Sequence, residues 1–195
     1  MPQFDTIIRN GTLVDGTGAA AYVGDVAIAD GKIAALGAVA GDAAVEVDAS
    51  GLAVAPGFID IHTHFDPQLC WDGYATPSME HGITTVVIGN CSLSLAPIRA
   101  REGVDKIVSM FGVIEDIKKR TFDAAVPFTW ESFPEYLEHV RGDLGINVGA
   151  LIGHSALRYY VMGAASQERT ATGDELDEMC QLVEEAMAAG ALGIS

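Results

Sequence analysis

The stretch Ile59-Asp60-Ile61-His62-Thr63-His64-Phe65-Asp66 carries the strongest structural signal in this chain. The run before it, Leu52 to Ile59, is mostly apolar and is typical of a buried strand entered through a turn at Pro56-Gly57. Alternate side chains of an extended segment leave from the same face, so both histidines can reach a single ion. The stretch therefore predicts a metal site, and the alternative is a pair of histidines that hold no ion.

The composition is that of a globular protein with an acidic surface. The 195 residues are 49% apolar and 19% charged, enough to bury one core or one and a fraction. A net charge of −16 makes nucleic acid and anionic membrane surfaces poor partners, because phosphate contacts need a basic face. No stretch approaches the roughly 20 apolar residues of a membrane span.

Two features of the sequence argue against secretion. The N-terminus lacks the basic and apolar regions of a signal peptide. The three cysteines are too few and too scattered for a disulfide framework. We therefore expect a cytoplasmic location.

The first part of the chain, residues 1–55, is predicted to be a small β-sandwich segment. Short β-rich runs flank two dipeptides that suit two-residue hairpin turns, Asn10-Gly11 and Asp30-Gly31. A further short strand is predicted at 45–47. A sheet of this length has a thin core, so we expect it to need packing from elsewhere.

From residue 56 onward, strand and helix patterns alternate as in parallel βα units. Strands are predicted at 57–61, 84–89, 146–152 and 191–195, and helices near 104–110, 133–140 and 173–189. Ser132 with Glu135, and Thr172 with Glu175, have the spacing of capping boxes at two of these helices. The apolar stripe of the last helix includes Cys180, which is therefore predicted to be a buried core residue.

Four parallel strands with their helices are half of an eight-stranded barrel. An open half exposes strand edges, which is unfavourable for a stable monomer. Residues 56–195 are therefore predicted to be the first half of a TIM-like (β/α)8 barrel, an α/β fold, in a longer protein. The alternative is a complete, open α/β domain.

The residues that follow the predicted strands meet at one rim of a parallel sheet. In strand order they are His62 and His64, then Asn90, Cys91 and Ser92, then Gly153, His154 and Ser155, and finally Ser195. As a thiolate, Cys91 completes a His-His-Cys ligand set for Zn²⁺. Its alternatives are a nucleophile and an inert buried thiol.

Four other polar residues lie near the strands. Three of them have two interpretations each, and the fourth is expected to be structural. His154 contacts substrate or supports the ligands, or it is a structural histidine in a glycine-flanked loop. Asp60 and Asp66 orient the histidines by accepting their second N–H, or they cap a turn. His81 precedes the second strand, at the opposite rim, and is expected to be structural.

Three motifs resemble those of known enzymes. Pro56-Gly57-Phe58-Ile59-Asp60-Ile61-His62-Thr63-His64 resembles the first-strand signature of the amidohydrolase superfamily. His81-Gly82-Ile83-Thr84-Thr85-Val86-Val87-Ile88-Gly89-Asn90-Cys91 is similar to the N-acyl-D-amino-acid deacylase branch, as is Gly153-His154-Ser155-Ala156-Leu157-Arg158. The resemblance covers nearly the whole chain.

The resemblance implies a zinc enzyme that hydrolyses the amide bond of small N-acyl-D-amino acids, giving a carboxylate and a D-amino acid. It implies that Cys91 binds a tightly held zinc together with two histidines from strands five and six. His62 and His64 then serve a second, weaker metal position. Asp66, Asn90 and His154 become candidates for contacts to substrate or to the ligands.

The catalytic aspartate of that family lies on strand eight, so the resemblance implies no catalytic residue within these 195 residues. We expect the chain by itself to bind metal weakly and to be inactive. One departure from the family pattern is Ser92, which follows the cysteine where the family usually has a glycine.

Two rival functions are kept open. One is a superfamily enzyme that acts on a cyclic amide or a nucleobase. Relatives of that kind, the hydantoinases and dihydroorotases, use a modified lysine on the fourth strand, and residues 190–195 contain none. The other is a non-catalytic scaffold with an amidohydrolase-like fold.

Overall fold

The computed structural model describes residues 2–195, except for the side chains of residues 100 and 101. The chain forms two compact units, one ending at Gly57 and the other spanning Phe58–Ser195. Each unit is built on its own β-sheet. No helix among the described residues is both long and apolar enough to span a membrane.

The first unit is a five-stranded sheet in which the first strand pairs with three others. Its strands are β1 (Phe4–Leu13), β2 (Tyr22–Ala29), β3 (Lys32–Gly37), β4 (Ala43–Asp48) and β5 (Ala53–Val54). The order is β3-β2-β1-β4, and β5 also pairs with β1. Neighbours among β1, β2 and β3 are antiparallel, whereas β4 and β5 run parallel to β1.

One of the two predicted hairpin turns is wrong. Asn10 and Gly11 lie inside β1, which continues through them, and the register with β2 shifts at this point. Asn10 has a φ of 61°, and its backbone N–H donates to Asp25 Oδ1 at 2.9 Å. Asparagine tolerates this conformation, so the dipeptide forms a bulge instead of a turn. Asp30 and Gly31, with φ of 51° and 69°, do connect β2 to β3 as predicted.

The second unit is a mixed α/β structure on a four-stranded parallel sheet in the order β6-β7-β8-β9. The strands are β6 (Phe58–Asp60), β7 (Ile83–Ile88), β8 (Asn147–Ile152) and β9 (Gly193–Ile194). The helices are α1 (Ala100–Ile114), α2 (Lys119–Ala125), α3 (Phe133–Arg141), α4 (His154–Met162) and α5 (Gly173–Ala188). Strands and helices alternate as predicted, although the excursion between β7 and β8 holds three helices instead of two.

Both predicted capping boxes are confirmed. At α3, the Ser132 hydroxyl accepts from the Glu135 N–H, and the Glu135 carboxylate accepts from the Ser132 N–H at 2.9 Å. Thr172 and Glu175 make the same exchange at α5. The hydrogen bond from Arg169 is the largest of the causes that lower the pKa of Glu175 to about 2.

The core of the second unit anchors the excursion between β7 and β8 to the sheet. Phe111, Phe122 and Tyr136 are almost completely buried in the same cluster as the strand residues Val86 and Ile152. A hydrogen bond of 2.8 Å from the indole of a buried tryptophan, Trp130, to the Leu95 carbonyl fixes the loop that precedes α1. The end of α1 is therefore held in a defined position relative to the strands.

The prediction that Cys180 is buried is wrong. On α5, Met179 and Ala186 are buried, whereas Cys180 is exposed and Leu176 is 51% exposed. Successive residues of an α-helix lie about 100° apart around its axis, so Cys180 lies to the side of the buried Met179 and borders the groove. The helix packs through one edge of its apolar stripe, and the rest of the stripe lines an open groove.

Candidate metal centre

His62 and His64 lie just after β6, in a segment whose backbone is hydrogen-bonded to the end of β7. Thr63, between them, is buried, and both its N–H and its hydroxyl donate to the Val87 carbonyl, at 3.1 and 2.8 Å. The rings of His62 and His64 lie beside each other, with centroids 5.5 Å apart. The buried Thr63 therefore attaches the backbone between the two histidines to the end of β7.

Cys91 lies in a tight left-handed segment after β7. Gly89, Cys91 and Ser92 all have positive φ, of 80°, 54° and 63°. A Cβ at position 89 would lie 1.9 Å from the Leu151 carbonyl oxygen, so this position requires glycine. The Ser195 hydroxyl donates to the Gly89 carbonyl and accepts from the Ser92 N–H, which ties the cysteine loop to the end of β9.

The three predicted ligands meet at this rim. The ligand atoms of His62, His64 and Cys91 all lie within 4.8 Å of one another, and His62 Nε2 is 3.1 Å from Cys91 Sγ. Two imidazole nitrogens and a thiolate form a donor set that suits zinc. His62 and Cys91 are exposed, which leaves room for further ligands.

His64 makes a contact that sequence reasoning missed. Its Nε2 lies 3.4 Å from Oε1 of Glu115, the residue that follows α1. Its Nδ1 is buried and has no hydrogen-bond partner among the described residues. No local motif marks Glu115 in the sequence, because the contact depends on how α1 packs.

The two aspartates near the histidines bond to backbone groups. Asp60 Oδ1 accepts from the backbone N–H of His62 at 3.1 Å, so it stabilises the turn. Asp66 is fully buried, and its Oδ2 accepts from the Gly89 N–H at 3.2 Å. Burial is the main cause that raises the pKa of Asp66 to about 7. Asp66 thus links the histidine loop to the cysteine loop.

Asn90 and His154 have different surroundings from the three clustered residues. Asn90 is buried, and its amide donates to the carbonyls of Val87 at 2.9 Å and Thr63 at 3.4 Å. These hydrogen bonds connect the cysteine loop to the histidine loop. His154 begins α4, and its backbone N–H donates to the Ser195 carbonyl at 2.9 Å. It is exposed and lines the open groove beside α5.

Comparison with known proteins shows which protein family the chain belongs to. Residues 45–195 match the model of the Amidohydrolase family, and the chain belongs to that family. It is 39% identical to the D-aminoacylase of Alcaligenes xylosoxydans xylosoxydans over 194 residues, which are 98% of this chain and 37% of that protein. The predicted resemblance to the N-acyl-D-amino-acid deacylase branch is thereby confirmed.

Two solved structures agree with this relationship. A D-aminoacylase described as having a binuclear metal centre superposes with a TM-score of 0.80 at 36% identity, over 98% of this chain and 38% of that one. The N-acyl-D-glutamate deacylase of Bordetella bronchiseptica, complexed with zinc and a phosphonate inhibitor, gives a TM-score of 0.77 at 33% identity with the same coverage. The chain therefore spans little more than a third of the length of these relatives.

Proposed function

We propose that this chain is the N-terminal part of a zinc-dependent hydrolase that cleaves the amide bond of small N-acyl-D-amino acids, giving a carboxylate and a D-amino acid. The observation that carries the proposal is the convergence of His62, His64 and Cys91 within 4.8 Å. Similarity to a D-aminoacylase and an N-acyl-D-glutamate deacylase supports the reaction class.

The architecture that we propose is the first half of a TIM-like (β/α)8 barrel for residues 56–195, preceded by a small β-sandwich segment at 1–55. Four parallel strands in sequential order, joined through helices, support the half barrel. Barrel enzymes build their sites at the carboxyl ends of the strands, and the three clustered side chains follow β6 and β7.

Zinc is the metal that we propose for His62, His64 and Cys91, and the nitrogen and sulfur donors of these residues fit it. Bound zinc supplies a Lewis acid that polarises the amide carbonyl. By the family pattern, Cys91 belongs to the tighter position and the two histidines to a second, weaker one. The aspartate that moves the proton is expected outside these residues.

The remaining rim residues orient the ligands in this proposal. Asp66, buried and bonded to the Gly89 N–H, holds the histidine and cysteine loops together. Asn90 performs the same task through two backbone carbonyls. His154 is exposed at the start of α4, where its ring is free to contact substrate.

The first test is the zinc content of the purified chain, measured by elemental analysis after gel filtration. Zinc that co-purifies with the wild-type chain and disappears in Cys91→Ala supports the site. Cys180→Ala is the matched control, because Cys180 is also an exposed free cysteine and lies on α5. Equal zinc in both variants would contradict the role of Cys91.

The second test is hydrolysis of N-acetyl-D-amino acids. We expect none from the 195-residue chain, and turnover by the longer protein that contains it, with no turnover of the L-enantiomers. A longer protein that hydrolyses none of these substrates would support the scaffold alternative instead.

A further inference from the structure

Ser195 has a fixed position at the carboxyl end of β9. Its backbone N–H donates to the Ile152 carbonyl at 3.1 Å, and its own carbonyl accepts from the His154 N–H at 2.9 Å. These two partners are the last residue of β8 and the first residue of α4. The backbone that carries the half-buried Ser195 hydroxyl is therefore attached to the neighbouring βα unit at two points.

The Ser195 hydroxyl makes two hydrogen bonds, one on each side of Cys91. It donates to the Gly89 carbonyl, two residues before the cysteine, and accepts from the Ser92 N–H, one residue after it, at 3.1 Å. A hydroxyl has one proton to donate and two lone pairs that accept, so both bonds can form at once. One side chain therefore joins the two ends of the short segment that carries the thiol.

The backbone conformation of this segment needs such a restraint. Cys91 and Ser92 are consecutive residues with φ of 54° and 63°. The left-handed conformation is unfavourable for residues with a Cβ, which adopt it singly more often than in pairs. It persists only where the surrounding structure holds it. The Ser155 N–H, which donates to the Ser92 carbonyl at 3.1 Å, adds a second restraint from the same βα unit.

We propose that Ser195 is a positioning residue for Cys91, because its hydroxyl holds the left-handed segment in the conformation that presents the thiol to His62. In that conformation Cys91 Sγ lies 3.1 Å from His62 Nε2. Ser195 acts through the backbone on both sides of the cysteine and is not itself a ligand. This inference rests on the proposed function and deepens it, because it gives the fourth strand of the parallel sheet a part in metal binding.

The test is the zinc dissociation constant of the chain, measured by competition with a chromophoric chelator. Ser195→Ala removes both hydrogen bonds, and we expect it to weaken zinc binding about 10- to 100-fold, the range for loss of a group that orients a metal ligand. Ser195→Thr keeps the hydroxyl and should retain most of the affinity. Ser132→Ala is the matched control, because it also replaces a hydrogen-bonded serine of the second unit, but at the start of α3. It should lower the urea midpoint and leave the zinc constant unchanged.

A second readout reports the cysteine directly. Co²⁺ bound by a thiolate has a charge-transfer band in the near ultraviolet, in addition to its d–d bands. At saturating Co²⁺, Ser195→Ala should weaken the charge-transfer band, whereas Ser195→Thr and Ser132→Ala should keep it. A loss of stability alone would not change this band in the folded, loaded chain.

The possible outcomes separate this inference from the metal site. Unchanged zinc affinity and an unchanged charge-transfer band in Ser195→Ala, together with lost binding in Cys91→Ala, would overturn the inference and leave the site standing. Equal losses in Ser195→Ala and Ser195→Thr, or in Ser195→Ala and Ser132→Ala, would also overturn it, since the hydroxyl would then have no specific effect. A wild-type chain that binds no zinc would overturn both the site and the inference.

Discussion

Gly89 gives the sharpest test of how the cysteine loop is built. It has a φ of 80°, and an added Cβ would lie 1.9 Å from the Leu151 carbonyl oxygen on β8. The left-handed conformation costs an alanine about 1–2 kcal/mol. Displacing the neighbouring backbone adds roughly 1–3 kcal/mol. We therefore expect Gly89→Ala to lower the free energy of unfolding of the second unit by about 2–5 kcal/mol.

Gly82→Ala is the matched control, since Gly82 lies at the other end of β7. Its φ of 86° is nearly the same, but an added Cβ would make only an ordinary contact, 3.7 Å from Phe58. We expect this variant to lose about 1–2 kcal/mol, which is the cost of the backbone conformation alone. The difference between the two variants isolates the clash with Leu151.

The assay is urea unfolding followed by tryptophan fluorescence. Trp71 and Trp130 both lie in the second unit, so the signal reports the unit that contains the two glycines. Equal unfolding free energies for the two variants would refute the argument, because the contact with the Leu151 carbonyl would then contribute nothing. Gly89→Ala should also lose zinc, since Cys91 lies two residues further on.

Three further predictions concern the caps and the cysteines. Ser132→Ala should lower the unfolding free energy of the second unit by about 1 kcal/mol in the same assay, through loss of the capping box. Glu175 has its pKa lowered in the folded state from 4.5 to about 2, so its stabilising effect is present above pH 4.5 and is lost as the pH falls through 2. The gap in urea midpoint between the wild-type chain and Glu175→Gln should therefore shrink from pH 6 to pH 2; a gap that does not change with pH would contradict this. Iodoacetamide at pH 8 should label the exposed Cys91 and Cys180, read by mass spectrometry, and spare Cys70, whose pKa is raised to about 12 mainly by burial. Zinc should protect Cys91 alone, and equal protection of Cys180 would contradict the site.

Local chemistry in the sequence predicted much of the fold. The capping box of Ser132 with Glu135 was confirmed because both partners lie within one helical turn. The alternation of strands and helices after residue 56 follows from hydrophobic periodicity, which each segment carries by itself. The prediction of a hairpin turn at Asn10-Gly11 was wrong because a positive φ occurs in bulges as well as in turns. Which of the two forms depends on the strand that pairs with this segment.

The candidate site, like the fold, was predictable from the sequence only in part. Two histidines at alternate positions, and a cysteine at the end of the next strand, are predictable because parallel strands end at a shared rim. Whether Asp66 would accept from a histidine ring or from the Gly89 N–H was not predictable, since its position along the chain allows either partner. Cys180 was misplaced because a stripe of apolar residues does not reveal which edge of it another element covers.

The sequence alone thus determined the identity of the metal-ligand candidates, the order of strands and helices, and the family resemblance. These depend on residue type and on spacing along the chain. Only the tertiary structure decided that Glu115, just after α1, lies beside His64, and that His154 lines a groove next to α5. Contacts of this kind arise from packing between elements far apart in the chain, and short-range periodicity carries no information about them.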